Sequence, residues 1–81
     1  MKKIIDNKVY DTESVGNKLL AEIKDKNGVF ERYYRTEKNN CFCHYYSSDG
    51  EDIISHSNEE IAAKLSELQS SEIIWDNFEK A

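Results

Sequence analysis

Three polar turn signals divide the middle of the chain into short apolar or aromatic segments, and this repeat limits the possible folds more than any other feature. The signals are Asp25-Lys26-Asn27-Gly28, Glu37-Lys38-Asn39-Asn40 and Ser48-Asp49-Gly50-Glu51-Asp52. Asn-Gly supplies the positive φ angles that a tight hairpin turn needs. Short segments between such turns are typical of strands. The pattern predicts an antiparallel meander of three strands, with Ile53-Ile54 as a short fourth strand.

The residue types within the segments also favour a sheet. In residues 18–25, Leu19, Ala21 and Ile23 fall on one face, and Leu20 falls on the opposite face with the charged residues. The next two segments are rich in aromatic residues, which favour strands. Their rings are those of Phe30, Tyr33, Tyr34, Phe42, Tyr45 and Tyr46.

Two apolar pairs near the amino terminus predict a hairpin over residues 3–15. Ile4-Ile5 and Val9-Tyr10 flank the polar turn Asp6-Asn7-Lys8. Asp and Asn suit such a turn because both tolerate left-handed backbone geometry and bond to nearby backbone groups.

The residues after the meander predict a helix. Either Ser57 or Asn58 caps it, and acidic residues follow in the first turn, where the helix dipole favours negative charge. Apolar residues then recur at helical spacing. These are Ile61, Leu65 and Leu68. Residues 71–78 either form a second short helix, capped by Ser71, or continue the first.

We therefore predict a single α+β domain over residues 1–81. A small antiparallel meander of three to four strands follows an N-terminal β-hairpin, and one or two C-terminal helices pack across the sheet. A sheet this small would otherwise leave its apolar face in water. With 81 residues, the chain has room for one core and little for a deep substrate cleft, which favours binding by the surface.

The sequence also predicts a cytoplasmic protein without membrane contact. No uncharged run approaches the roughly 20 residues that a membrane-spanning helix needs. Residues 1–6 lack the apolar segment of a secretion signal. A reducing cytoplasm would keep Cys41 and Cys43 as free thiols, and neighbours two apart on a strand cannot easily form a disulfide bond.

The formal net charge of −5 is unevenly distributed. Residues 1–46 carry nine Lys and Arg against seven Asp and Glu, whereas residues 47–81 carry two Lys against nine Asp and Glu. An acidic surface repels nucleic acid and attracts basic protein grooves. We therefore predict a partner protein with a basic surface and no direct contact with nucleic acid. The predicted partner-binding residues are Asp49, Glu51, Asp52, Glu59, Glu60, Glu67, Glu72 and Asp76. The alternative is that these charges only keep the surface hydrated.

Cys41, Cys43, His44 and His56 are residue types that bind zinc. Successive side chains of a strand point to opposite faces, however, so His44 would face away from both cysteines. The cysteines also lack the two to four intervening residues of common zinc motifs. We therefore predict no metal and no cofactor, and we expect both thiols to pack as small hydrophobic groups.

No set of residues predicts catalysis. Cys43 and His44 would point apart on a strand, which disfavours a Cys-His nucleophile. Glu59 and Glu60 would diverge by about 100° on a helix, so they are not paired carboxylates. Single glycines at positions 16, 28 and 50 do not form a phosphate-binding loop. We predict that the protein is not an enzyme.

The run Arg32-Tyr33-Tyr34-Arg35, beside Tyr45 and Tyr46, combines basic and aromatic residues as single-strand nucleic-acid platforms do. Alternation allows one tyrosine of each pair to face outward, and the negative net charge disfavours phosphate binding. We therefore interpret this run as sheet packing.

The residues Lys2-Lys3-Ile4-Ile5-Asp6-Asn7-Lys8-Val9-Tyr10-Asp11-Thr12-Glu13 resemble the opening of a group of short proteins from Firmicutes and their phages and mobile elements. The resemblance extends to Tyr34-Arg35-Thr36-Glu37-Lys38-Asn39-Asn40-Cys41-Phe42, Asn58-Glu59-Glu60-Ile61-Ala62 and Ile73-Ile74-Trp75-Asp76-Asn77-Phe78. It implies a mobile-element setting, in which small acidic proteins often block host defence nucleases, anti-CRISPR proteins among them. The resemblance implies no catalytic residues.

Two functions remain open at this point. One is an inhibitor that occupies a basic surface of a CRISPR effector or another defence nuclease. The other is a homodimeric structural or interaction module that associates through a sheet edge or through residues 73–78, with Trp75 and Phe78 as anchors.

Overall fold

The computed structural model describes residues 1–24, 28–67 and 72–81. Its elements are β1 (Lys2–Ile5), β2 (Lys8–Asp11), β3 (Lys18–Lys24), β4 (Phe30–Arg35), β5 (Cys41–Ser47), β6 (Gly50–His56), α1 (Asn58–Ser66) and a 3-10 turn at Trp75–Asn77. β1 and β2 form a two-stranded sheet, and β3 to β6 form a four-stranded antiparallel sheet in chain order. In the part of the chain described, no helix is long and apolar enough to cross a membrane.

The predicted α+β fold with one or two packed C-terminal helices is wrong. The described residues are mostly β, with about half of them in strands, and they include one nine-residue helix and a three-residue 3-10 turn that buries no residue. Ile73 forms an antiparallel bridge with Ala21 of β3, and the Ile74 N–H donates to the Leu20 carbonyl at 2.8 Å. This segment extends along β3 because bonding to the strand edge replaces the internal bonds of a helix. Leu68 and Ser71, on which the helix prediction also depended, lie outside the described residues.

A β-bulge in β3 changes which residues the sheet buries. Leu19 pairs with Tyr34, and Ala21 pairs with the adjacent Tyr33, so Leu20 is the extra residue. A bulge interrupts the alternation of side chains. Leu20 and Ala21 are therefore both fully buried in one cluster, and the prediction that Leu20 lies on the charged face is wrong.

Two hydrophobic clusters form on opposite faces of the four-stranded sheet, because the side chains of β4 and β5 alternate. The first cluster contains Leu20, Ala21, Tyr33, Cys41, Cys43, Ile61 and Leu65 of α1, and Ile73. The second contains Tyr10, Phe42 and Ile53, with Met1, Ile5 and Tyr34 packed against it. The second cluster joins the β1–β2 hairpin to the sheet.

The turn between β1 and β2 has the geometry that its residues favour. Asp6 and Asn7 adopt φ angles of 51° and 64°, and a two-residue type I′ turn requires positive φ at both positions. Ile4 pairs with Val9, and these side chains point outward, at 70% and 64% exposure. The hairpin therefore presents an apolar pair to solvent.

Ser57 is the N-cap of α1 and is expected to contribute measurably to stability. Its Oγ accepts a hydrogen bond from the Glu60 N–H at 3.1 Å, and its N–H donates to Glu60 Oε1 at 2.9 Å. The bond from the Ser57 N–H lowers the pKa of the Glu60 carboxyl from its ordinary value. We expect Ser57→Ala to lower the free energy of unfolding by about 0.5–2 kcal/mol in urea denaturation. Ser48→Ala, at an exposed turn position, is the control and should change it by less than about 0.5 kcal/mol. Equal losses in the two variants would contradict the capping role.

Candidate functional site

The eight predicted partner-binding carboxylates lie on separate elements of the described chain. The β5–β6 turn and the start of β6 contain Asp49, Glu51 and Asp52. The first turn of α1 contains Glu59 and Glu60, and its end contains Glu67. The segment along β3 contains Glu72 and Asp76. β3 and β6 are opposite edges of the four-stranded sheet, and three strand spacings of about 4.8 Å separate them. The structure therefore does not gather all eight on one surface.

We call Asp49, Glu51 and Asp52 the acidic corner. Asp49 is exposed, and the side chains of Glu51 and Asp52 are 50% and 52% exposed. Glu51 Oε2 lies 2.7 Å from His44 Nε2. Asp52 Oδ1 accepts a hydrogen bond from Lys3 Nζ at 2.6 Å, which lowers the pKa of the Asp52 carboxyl from its ordinary value. Three carboxylates thus remain accessible within four residues, although two of them also have a partner inside the chain.

Lys3 and Asp52 also bind the backbone of β6, and we call this arrangement the Lys3–Asp52 bracket. Asp52 Oδ1 accepts from the Ile53 N–H at 2.8 Å, and Lys3 Nζ donates to the Ile53 carbonyl at 3.3 Å. The N–H and C=O of Ile53 therefore both point away from β5, toward the outer edge of β6. The sequence did not indicate this arrangement, because Lys3 and Asp52 are 49 residues apart.

The basic and aromatic run of β4 is mostly used in packing. Tyr33 is fully buried in the first cluster, and Tyr34 packs against the second. The Arg35 guanidinium lies 5.5 Å from the ring centroid of Phe78 and donates to the Asn77 carbonyl at 3.4 Å. These contacts agree with the interpretation of this run as sheet packing.

A smaller group of rings lies on the face opposite the first cluster. Phe30 and Tyr46 stack with 4.9 Å between centroids and 9° between ring planes. The Arg32 guanidinium lies 4.6 Å from the Phe30 centroid, and its Nε donates to Glu22 Oε2 at 3.1 Å. The cation is therefore already paired with a ring and a carboxylate. The sequence places Phe30 in a strand but did not lead us to pair it with Tyr46, although the turn between β4 and β5 sets these two residues opposite each other.

The candidate zinc and nucleophile residues do not converge. Cys41 and Cys43 are buried in the first cluster, where Cys41 Sγ donates to Asn58 Oδ1 at 3.1 Å, while His44 lies on the other face beside Glu51. Within the described ranges, no group of three or more His, Cys, Asp or Glu could hold a metal ion. Burial raises the pKa of the Cys43 thiol to about 11. A thiol that stays protonated at neutral pH is a poor nucleophile.

Comparison with protein-family models, with curated proteins and with solved structures gave no match.

Proposed function

We propose that the protein is a non-catalytic binding module that acts in the cytoplasm of a host cell on a partner protein with a basic surface. The acidic corner carries this proposal, because three accessible carboxylates lie within four residues of one turn and strand. Such a group can occupy a groove that otherwise binds phosphates, and charge complementarity accelerates association. The resemblance to short phage and mobile-element proteins supports a defence nuclease, such as a CRISPR effector, as the partner.

The proposal is tested by DNA cleavage with a panel of purified RNA-guided nucleases in the presence of the protein. We expect inhibition of at least one nuclease, and the inhibition should weaken as salt is added, since salt screens exposed charges. Reversal of charge in Asp49→Lys/Glu51→Lys should weaken inhibition by about tenfold or more, which corresponds to about 1.4 kcal/mol of binding free energy.

The matched control is Glu13→Lys/Glu79→Lys, which changes the net charge equally at two carboxylates outside the eight predicted partner-binding residues and leaves the acidic corner intact. Both control residues are exposed. We expect the control to inhibit like the original protein. Equal weakening in both double variants would assign the effect to net charge, and unchanged cleavage with every nuclease would contradict the nuclease proposal.

The homodimeric module is the second candidate, and one observation favours a particular edge for it. Residues 72–77 cover the outer edge of β3 through the Ile73–Ala21 bridge and the bond from Asn77 Nδ2 to the Leu19 carbonyl at 2.7 Å. Among the described residues, no strand pairs with the outer edge of β6. The outer edge of β6, rather than that of β3, is therefore the edge available for pairing with a second copy.

A further inference from the structure

The outer edge of β6 is a place where another strand could bind, and the Lys3–Asp52 bracket lies at its midpoint. Ile53 is the fourth of the seven residues in β6. Because the backbone groups of Ile53 point outward, alternation in an antiparallel pair turns those of Glu51 and Ser55 outward as well. The groups of Asp52 and Ile54 then bond to β5. An incoming strand must therefore bond to Ile53, where a carboxylate and an ammonium already occupy both backbone groups.

We propose that the Lys3–Asp52 bracket keeps β6 closed to strand pairing, and that opening it lets β6 pair antiparallel with β6 of a second copy of this chain. Charged groups that cover an exposed edge strand are a known means of preventing such association. The bracket is a surface feature, with Lys3 and Asp52 side chains 39% and 52% exposed. Its loss should therefore open the edge without unfolding the sheet.

The side chains of two paired β6 strands are compatible, as are their backbone hydrogen bonds. In a two-fold register centred on Ile54, Ile53 exchanges hydrogen bonds with Ser55 of the second copy. Ile54, which is 48% exposed, meets Ile54 of the second copy. Asp52, released from Lys3, lies opposite His56 of the second copy, so the register places no like charges opposite each other.

The test compares the sedimentation of the full chain with that of Lys3→Ala at micromolar concentration. We expect Lys3→Ala to dimerise with a dissociation constant at least about tenfold lower than that of the original chain. Lys2→Ala is the matched control, since it removes the same charge from the neighbouring exposed residue, and it should sediment like the original chain. Unchanged sedimentation of Lys3→Ala would overturn the proposal.

A second variant tests the register. Ile54→Lys, added to Lys3→Ala, places two ammonium groups opposite each other on the two-fold axis and should restore the monomer. Continued dimerisation of this double variant would also overturn the proposal.

Amide hydrogen exchange of the original chain tests the bracket without any substitution. The Ile53 amide, which donates to Asp52, should exchange more slowly than the Ser55 amide on the same edge. Equal exchange rates would show that the bracket does not protect the edge, whatever the variants do.

Discussion

Replacement of Phe42 by alanine is expected to lower the free energy of unfolding by about 3–5 kcal/mol. Phe42 is fully buried, and its ring makes an edge contact with Tyr10 at 5.5 Å and stacks on Tyr34 at 5.1 Å. An isolated two-stranded hairpin is marginally stable in water, so β1 and β2 depend on this contact between Tyr10 and the sheet. Small domains have about 5–15 kcal/mol of total stability, and the variant should therefore lose a large part of it.

Chemical denaturation measures the effect, and Val9→Ala is the control. Val9 precedes Tyr10 on the same strand but is 64% exposed, so its truncation should change stability by less than about 0.5 kcal/mol. Hydrogen exchange in β1 and β2 of the Phe42→Ala variant should also accelerate more than exchange in β3 to β5. A loss no larger than that of Val9→Ala would show that the hairpin does not depend on the second cluster.

The strands were the part of the fold that the sequence could predict, because their signals are local. Alternation and turn residues mark each segment, and Asp6, Asn7 and Asn39 adopt the positive φ angles that their residue types tolerate. β6 is longer than the predicted pair Ile53-Ile54 and runs from Gly50 to His56. The sequence did not predict the start of β6 as a strand, because Glu51 and Asp52 are charged and an exposed edge strand of charged residues shows no apolar alternation. The turn predicted at 25–28 lies outside the described residues except for Gly28, which has a φ of 82°.

The C-terminal segment could not be assigned from local pattern, since its conformation depends on a distant strand. Ile73, Ile74 and Trp75 suit a short helix as well as an extended chain, and the free edge of β3 decides between them. The bulge at Leu20 is also a result of pairing with β4 and leaves no signal in the alternating sequence. The first error came from bonds to a distant strand, and the second came from an irregularity within a strand pair that the turns did predict.

The same limit applies to the candidate site. Composition identified the acidic residues, but the partners of each carboxylate come from elsewhere in the chain. Asp52 bonds to Lys3 and Glu60 bonds to the N-cap Ser57, whereas Asp49 makes no side-chain hydrogen bond or ion pair with the described residues. A carboxylate that is already paired within the chain attracts an external cation less strongly than an unpaired one. Within the acidic corner, Asp49 should therefore contribute most to an encounter with a basic surface.

A loss of stability between pH 9 and 11 is expected from the buried thiol of Cys43. Burial raises its pKa from 9.0 to about 11, so the folded state retains a proton that the unfolded state releases above pH 9. The contribution of the protonated Cys43 thiol to the stability of the folded state is therefore fully present below pH 9 and is lost as the pH rises toward 11. The proton numbers of the two states differ by about 0.5 to 0.8 in this range, so the free energy of unfolding falls by about 1 kcal/mol per pH unit.

Urea denaturation at a series of pH values between 9 and 10 measures this slope. Burial also raises the pKa of Tyr33 above its ordinary value of 10.0, so measurements below pH 10 separate the thiol from the phenol. Cys43→Ala removes the titrating group, and its free energy of unfolding should fall less steeply over the same interval, whatever its value at neutral pH. An identical slope in Cys43→Ala would mean that the thiol ionises equally in the folded and unfolded states, which is incompatible with a Cys43 side chain enclosed by the first cluster.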